Sequence, residues 1–186
     1  MTRPNASLIS DLRADMQFIL KYLNLPPNLR NVVWVVFACD SFAITSLFRT
    51  RQWCRRRRIP GANRVLRALE TGLFAIELGK DVELGRGVFF LHSVGTVVGG
   101  DAKIGDACVF LGNITIGGAG GVEAPRIGAG TVIGAGARVL GKIEIGENCM
   151  LGANAVVLDD VPAGKVVVGI PARVTGDNPH VRTASS

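Results

Sequence analysis

The sequence predicts an α-helical front followed by a parallel β-helix of hexapeptide repeats, and three observations predict it. Apolar residues recur every six positions: Leu78, Leu84 and Phe90, then Val98, Ile104, Phe110 and Ile116, then Ile127, Ile133, Val139, Ile145, Leu151 and Val157. A second small or aliphatic residue follows most of these markers four places on, as Val82, Val88, Ala102, Cys108, Ile114, Ala137, Ile143, Cys149 and Ala155 do. Three places on, Asp, Gly or Asn dominates (Asp81, Gly87, Asp101, Asn113, Gly130, Gly136, Asn148, Asn154), the residue types that accept φ > 0 at a tight corner. A strict period of six gives each unit one short strand and one corner, with two apolar positions stacking into a continuous core.

The front differs in kind. Of 186 residues with a net charge of +6, residues 1–70 hold 12 Lys/Arg against 4 Asp/Glu, so the basicity belongs to the helices and not to the repeats. Ser10-Asp11 reads as an N-cap before Leu12, Met16, Ile19, Leu20 and Leu23, and Pro26-Pro27 stops that helix. Residues 29–48 read as a second, strongly apolar helix interrupted at Asp40-Ser41, without a clean run long enough to span a bilayer. Arg49, Arg51, Arg55, Arg56, Arg57 and Arg58 follow. A solvated surface turn is the favoured reading of this cluster; a patch for an anionic membrane surface comes second, and nucleic acid last, since no binding module accompanies the charge. A third helix over roughly 61–74 leads into the first coil. The expected domains are a helical segment at 1–75, serving as cap and oligomerisation surface, a β-helix at 76–175 and a flexible tail at 176–186.

Cys39, Cys54, Cys108 and Cys149 have neither metal nor disulfide spacing, and no signal peptide is read at the start, so reduced thiols and a cytoplasmic protein are expected. Only two histidines exist. His180 falls in the polar tail; His92 sits near a corner where the six-residue register slips, because Phe90 to Val98 is eight. Glu77 lies fifteen residues earlier, nearly one coil, where a carboxylate would fix the imidazole's tautomer and stabilise its charged form. A surface histidine with an unrelated acid nearby is the competing reading. A second irregularity runs from Gly117 to Arg126, ten residues between markers where five are usual, and predicts a projecting loop. Ala135 and Ala153 are eighteen apart and would stack at three sixes per coil, leaving either room for a thin ligand or ordinary tight packing.

The runs Leu84-Gly-Arg-Gly-Val-Phe-Phe-Leu-His92, Gly95-Thr-Val-Val-Gly99, Ala102-Lys-Ile-Gly-Asp106, Ile114-Thr-Ile-Gly-Gly118, Ile133-Gly-Ala-Gly-Ala-Arg-Val-Leu-Gly141 and Val168-Gly-Ile-Pro-Ala-Arg173 resemble bacterial serine O-acetyltransferases over roughly residues 75–175. The resemblance implies a left-handed β-helix, assembly as a homotrimer or a dimer of trimers, and acetyl-CoA bound between subunits without a metal. By position it implies His92 as the base with Glu77 as its partner, and Gly117, Gly118, Ala135 and Ala153 along the acetyl-CoA groove. Departures fall on the acceptor side. Leu91 replaces the family's Asp, and Glu123-Ala124-Pro125 replaces Arg-His-Pro in a shorter loop, where Arg126 partly substitutes. The family's Arg-Asp-Pro segment is missing from the front. Losing such partners of a buried charge costs about 2–5 kcal/mol each. The expectation is therefore an acetyltransferase acting on a small hydroxyl or amine acceptor without serine's zwitterionic head. The alternatives are a true serine O-acetyltransferase and a non-catalytic scaffold. A γ-class carbonic anhydrase would need three zinc-binding histidines. The chain ends Ala184-Ser185-Ser186 without the family's C-terminal isoleucine, so no cysteine synthase complex is expected.

Overall fold

Each coil is three short strands, because every six residues the chain must turn and only the inward positions are apolar. The computed structural model describes residues 7–118 and 123–180; parts of the expected loop (119–122) and tail (181–186) lie outside the described residues. Four helices come first: α1 (Leu8–Tyr22), α2 (Leu29–Ala38), α3 (Asp40–Arg56) and α4 (Ala62–Phe74). Three parallel sheets follow. The first stacks β1 (Ile76–Leu78), β4 (Thr96–Val98), β7 (Thr115–Gly117), β10 (Arg138–Leu140) and β13 (Val156–Val157). The second stacks β2 (Glu83–Leu84), β5 (Lys103–Ile104), β8 (Arg126–Ile127) and β11 (Glu144–Ile145). The third stacks β3 (Phe89–Phe90), β6 (Val109–Phe110), β9 (Val132–Ile133), β12 (Met150–Leu151), β14 (Lys165–Gly169) and, antiparallel, β15 (Ala172–Asp177). Together they form a left-handed parallel β-helix of about four turns.

Every apolar marker except the half-buried Leu84 is buried, and the partners four places on are buried with them. Cys108 and Cys149 behave as small core hydrophobes, and burial pushes the Cys108 thiol up to about 12. The register also locates both irregularities. Val98 pairs with Ile116 and Val139 with Val157, eighteen apart; Leu78 pairs with Val98, two more, and Ile116 with Val139, five more. The two extra residues swell the corner that holds His92, and the five extra form the loop after Gly117.

The front helices close the open end of the prism. In the ladder each coil bonds to the next: Gly79 N–H donates to Val98 O and Gly99 N–H to Ile116 O. The first coil has no predecessor, so its outer backbone groups need other partners. Helix α3 supplies them. Arg51 Nη2 donates to Leu78 O (2.7 Å), Gln52 Nε2 to Val82 O (2.8 Å), Arg49 Nη2 to Gly85 O (2.8 Å) and Arg55 to Lys80 O, while Ser41 Oγ accepts from Phe90 N–H (2.9 Å). Ile44 and Phe48 plug the core between these bonds. Helices α1 and α2 cover the outer face of the third sheet, where Ile19, Leu20 and Val35 pack on Phe89 and Val109.

Several expectations need correction here. The arginine cluster is not one solvated turn: Arg49 and Arg51 are buried in α3, and only Arg55 to Arg58 are exposed. The N-cap of α1 is Ser7, whose Oγ accepts from Ser10 N–H at 3.1 Å. The apolar stretch is two helices bent by 75° at Cys39, because α2 follows the third sheet while α3 must cross the end of the prism. No single helix among the described residues is long and apolar enough to cross a membrane. The tail is ordered further than expected: β15 runs to Asp177, Asn178 is buried, and His180 N–H donates to Asn178 Oδ1 at 3.0 Å.

Two ion pairs lie under α3. Arg49 meets Asp15, which also accepts from Gly87 N–H at 2.8 Å. Arg51 Nη1 faces Glu70 Oε2 at 3.3 Å, and neither Glu70 oxygen has a hydrogen-bond partner. Burial raises the Glu70 carboxyl from 4.5 to about 7, against the pull of Arg51 and Arg67. Between those values the folded chain keeps a proton that the unfolded chain has released. Stability therefore falls as pH rises from about 4.5 to 7 and levels above it. Glu70→Gln should remove this slope, a difference on the order of 1–3 kcal/mol between pH 5 and pH 8 by urea unfolding.

Candidate active site

The corner between the third and first sheets carries the features singled out in the sequence. In successive coils this corner is Leu91-His92-Ser93, Leu111-Gly112-Asn113, Gly134-Ala135-Gly136 and Gly152-Ala153-Asn154. Backbone bonds hold the column together: Asn113 N–H donates to Val94 O (3.1 Å), Gly136 N–H to Gly112 O (3.0 Å) and Asn154 N–H to Ala135 O (2.8 Å). His92, Ala135 and Ala153 are exposed along this edge, so the two alanines do stack, and no large side chain stands beside them at their positions. Gly112 is the residue sequence reasoning missed. Its φ of +121° is open to glycine, and a Cβ there would sit 2.9 Å from His92 Cβ, so glycine leaves the imidazole its place. The signal was available, as Gly112 stands two places after a marker, in the coil after His92.

Glu77 lies in the middle of β1 and points outward, its side chain 45% exposed. Gly95 N–H donates to Ala75 O at 3.0 Å and Val97 pairs with Glu77, so the chain leaving His92 runs directly beside the Glu77 strand. Within the chain the carboxylate is engaged by Arg67 of α4, Nη2 to Oε1 at 2.5 Å, and no hydrogen bond joins it to His92. Leu91 is 44% exposed next to His92.

Gly117 and Gly118 stand on the opposite edge of the first sheet, where Gly117 pairs with Leu140 and Gly118 is exposed. The chain therefore does not bring them to Ala135 and Ala153; the four residues divide between the two edges of one sheet. Beyond the loop, Glu123 pairs with Lys142 at 3.4 Å. Ala124 is buried, its N–H donating to Asp101 Oδ1 at 2.9 Å, a bond that holds the Asp101 carboxyl below its ordinary range. Arg126 lies on β8, on the outer face of the second sheet, lining a cleft of about 780 Å³ against α3. It stands on a different face from His92.

A β-prism with a solitary histidine on a small-residue edge is the frame of a hexapeptide-repeat transferase. The family model described as bacterial transferase hexapeptide (six repeats) matches residues 124–159. The chain is 38% identical over 170 residues to a serine acetyltransferase of Synechococcus elongatus, covering 90% of this chain and 68% of that one. It is 34% identical to a serine acetyltransferase of Helicobacter pylori, covering 86% of this chain and 95% of that one. Among solved structures, a serine acetyltransferase from Brucella abortus superposes with a TM-score of 0.80 at 31% identity, over 90% of this chain and 68% of the other. The same enzyme in complex with coenzyme A gives 0.79 at 30% identity, over 89% and 66%. The chain belongs to the serine acetyltransferase family. Acetyl transfer from CoA, the reaction class the sequence predicts, is the chemistry of this family.

Proposed function

We propose that this protein transfers the acetyl group of acetyl-CoA to a hydroxyl of a small acceptor that lacks serine's zwitterionic head, with His92 as general base and Glu77 as its partner. The exposed His92, alone on an edge of small residues and beside the Glu77 strand, carries this reading. His92 takes the hydroxyl proton as the acceptor oxygen attacks the thioester carbonyl. A new C–O bond forms, the C–S bond breaks, and the proton passes from the imidazolium to the departing CoA sulfur. A carboxylate has two oxygens, so Glu77 holds Arg67 with one and has the other for the imidazolium.

The division of Gly117 and Gly118 from Ala135 and Ala153 across the first sheet supports acetyl-CoA lying between neighbouring copies, where one copy's glycine edge meets the next copy's alanine edge. A homotrimer supplies that junction three times over.

The acceptor reading rests on Leu91, half-exposed where an ammonium would need a carboxylate, and on Arg126 standing off this edge. A second reading, serine itself, is favoured by the names of the relatives. Coenzyme A release measured across L-serine, amino alcohols and sugars separates them. Neutral hydroxyl acceptors are expected to give the higher kcat/KM, and Leu91→Asp is expected to raise kcat/KM for L-serine about tenfold or more, the scale of one hydrogen bond to a charged group. L-serine as the best acceptor of the unmodified protein would establish the second reading.

A further inference from the structure

Helix α4 reaches the first sheet through a chain of charges in which only Glu77 has a part in the transfer reaction as described. Arg51 on α3 donates to Leu78 O, the carbonyl next to Glu77 on β1, and faces the buried Glu70 on α4. Arg67 lies one turn before Glu70, at the i,i+3 spacing that places side chains side by side, and reaches down to Glu77 at 2.5 Å. Only Ala75, in the left-handed region at φ +49°, separates α4 from β1, so the chain doubles back and brings residues ten apart into contact. Arg67 is thus set between two carboxylates, one buried and one at the candidate site. Its own side chain is 53% exposed on the solvent side.

We infer that Arg67 is a positioning residue of the acetyl transfer: it holds the Glu77 carboxylate in place beside the chain leaving His92 and offsets part of its charge. The inference rests on the proposed His92–Glu77 pair. A lone carboxylate beside an imidazole stabilises the imidazolium and raises its pKa, and a base already protonated at working pH is no base. A guanidinium on the far oxygen reduces that pull without removing the carboxylate. Among the described residues, Arg51 and Arg55 from α3 and Glu70 from α4 lie behind Arg67, Arg138 on β10 reaches Asn113 O in the coil after His92, and Val97, the strand neighbour of Glu77, is neutral.

Because the chain has only two histidines, NMR titration of the full-length protein reads His92 directly, with His180 as an internal control and His92→Ala as the assignment. Arg67→Ala and Arg67→Gln are expected to move the His92 titration upward, by less than a buried pair would give because Arg67 and Glu77 are both half-exposed. Arg67→Lys is expected to stay near the unmodified value, and His180 to be unmoved throughout. Repeating the titration in Glu70→Gln separates the step contributed by Glu70 itself. A His92 pKa identical with and without Arg67 would overturn the inference. The underlying pair is tested apart from it: acetyl transfer surviving in His92→Ala defeats the proposed function. Loss of transfer in His92→Ala with an unmoved His92 titration in the Arg67 variants defeats only the role of Arg67.

Discussion

Replacing His92 by alanine is expected to lower kcat for acetyl transfer by about 10²–10⁴-fold while leaving acetyl-CoA affinity within a few-fold. The split follows from where the residue sits. Ala135 and Ala153, which extend the same edge and are proposed to line the acetyl-CoA seam, are not touched by the substitution. In the proposed mechanism the base acts only as the acceptor proton leaves, so its loss would fall on the transition state and not on ground-state binding. The fold has no reason to suffer, since His92 is exposed and the corner is held by backbone bonds on either side. Single-turnover CoA release, together with isothermal titration of CoA, checks both halves. A normal rate would remove the mechanism, and weakened CoA binding with normal kcat would make His92 a binding residue.

The largest expected loss of stability comes from the cap. Arg51→Ala removes the donor that satisfies Leu78 O and the cation that stands 3.3 Å from Glu70, a residue with no exposed side-chain surface. Breaking a buried pair from one side costs about 3–5 kcal/mol, because the orphaned charge and carbonyl keep their desolvation penalty. The loss should be smaller at pH 5 than at pH 8, since Glu70 with its value near 7 is then protonated and needs no counter-ion. Converting both partners to apolar residues, as in Arg51→Met with Glu70→Leu, is expected to recover much of the loss at pH 8. Urea unfolding of the unmodified protein and of the two variants at both pH values reads the pattern. A pH-independent loss would assign the effect to the Leu78 carbonyl alone.

The prism was legible because its code is local. Position in a six-residue unit decides whether a side chain meets the core, so Ile116, Ile133 and Leu151 could be placed without knowing any neighbour. The front was less legible because its partners are distant in sequence. Nothing near Arg49 or Arg51 announces that their guanidiniums close the first coil, and a run of arginines looks the same whether it faces water or unpaired carbonyls. The 75° bend at Cys39 has the same origin: local propensity favours one long helix, and the geometry of the prism's end divides it. At the candidate site, His92 stands out in the sequence by rarity and by the register slip, and Glu77 by spacing, and their proposed roles rest on those signals. Arg67 did not, since ten residues of separation mean nothing until α4 turns back into β1. Gly117 and Gly118 open the break in the six-residue register, yet only the sheet shows that they stand on a different edge from Ala135 and Ala153.

The most direct test is a structure of the oligomer with coenzyme A bound, read for the distance from the pantetheine sulfur to the His92 ring. The account predicts CoA along the seam between one copy's Ala135–Ala153 edge and the next copy's Gly117–Gly118 edge. Its sulfur should lie roughly 3–4 Å from the imidazole, near-attack range for the thioester it stands in for. Coenzyme A seated elsewhere, in the cleft beneath α3 or with its sulfur far from His92, would contradict it.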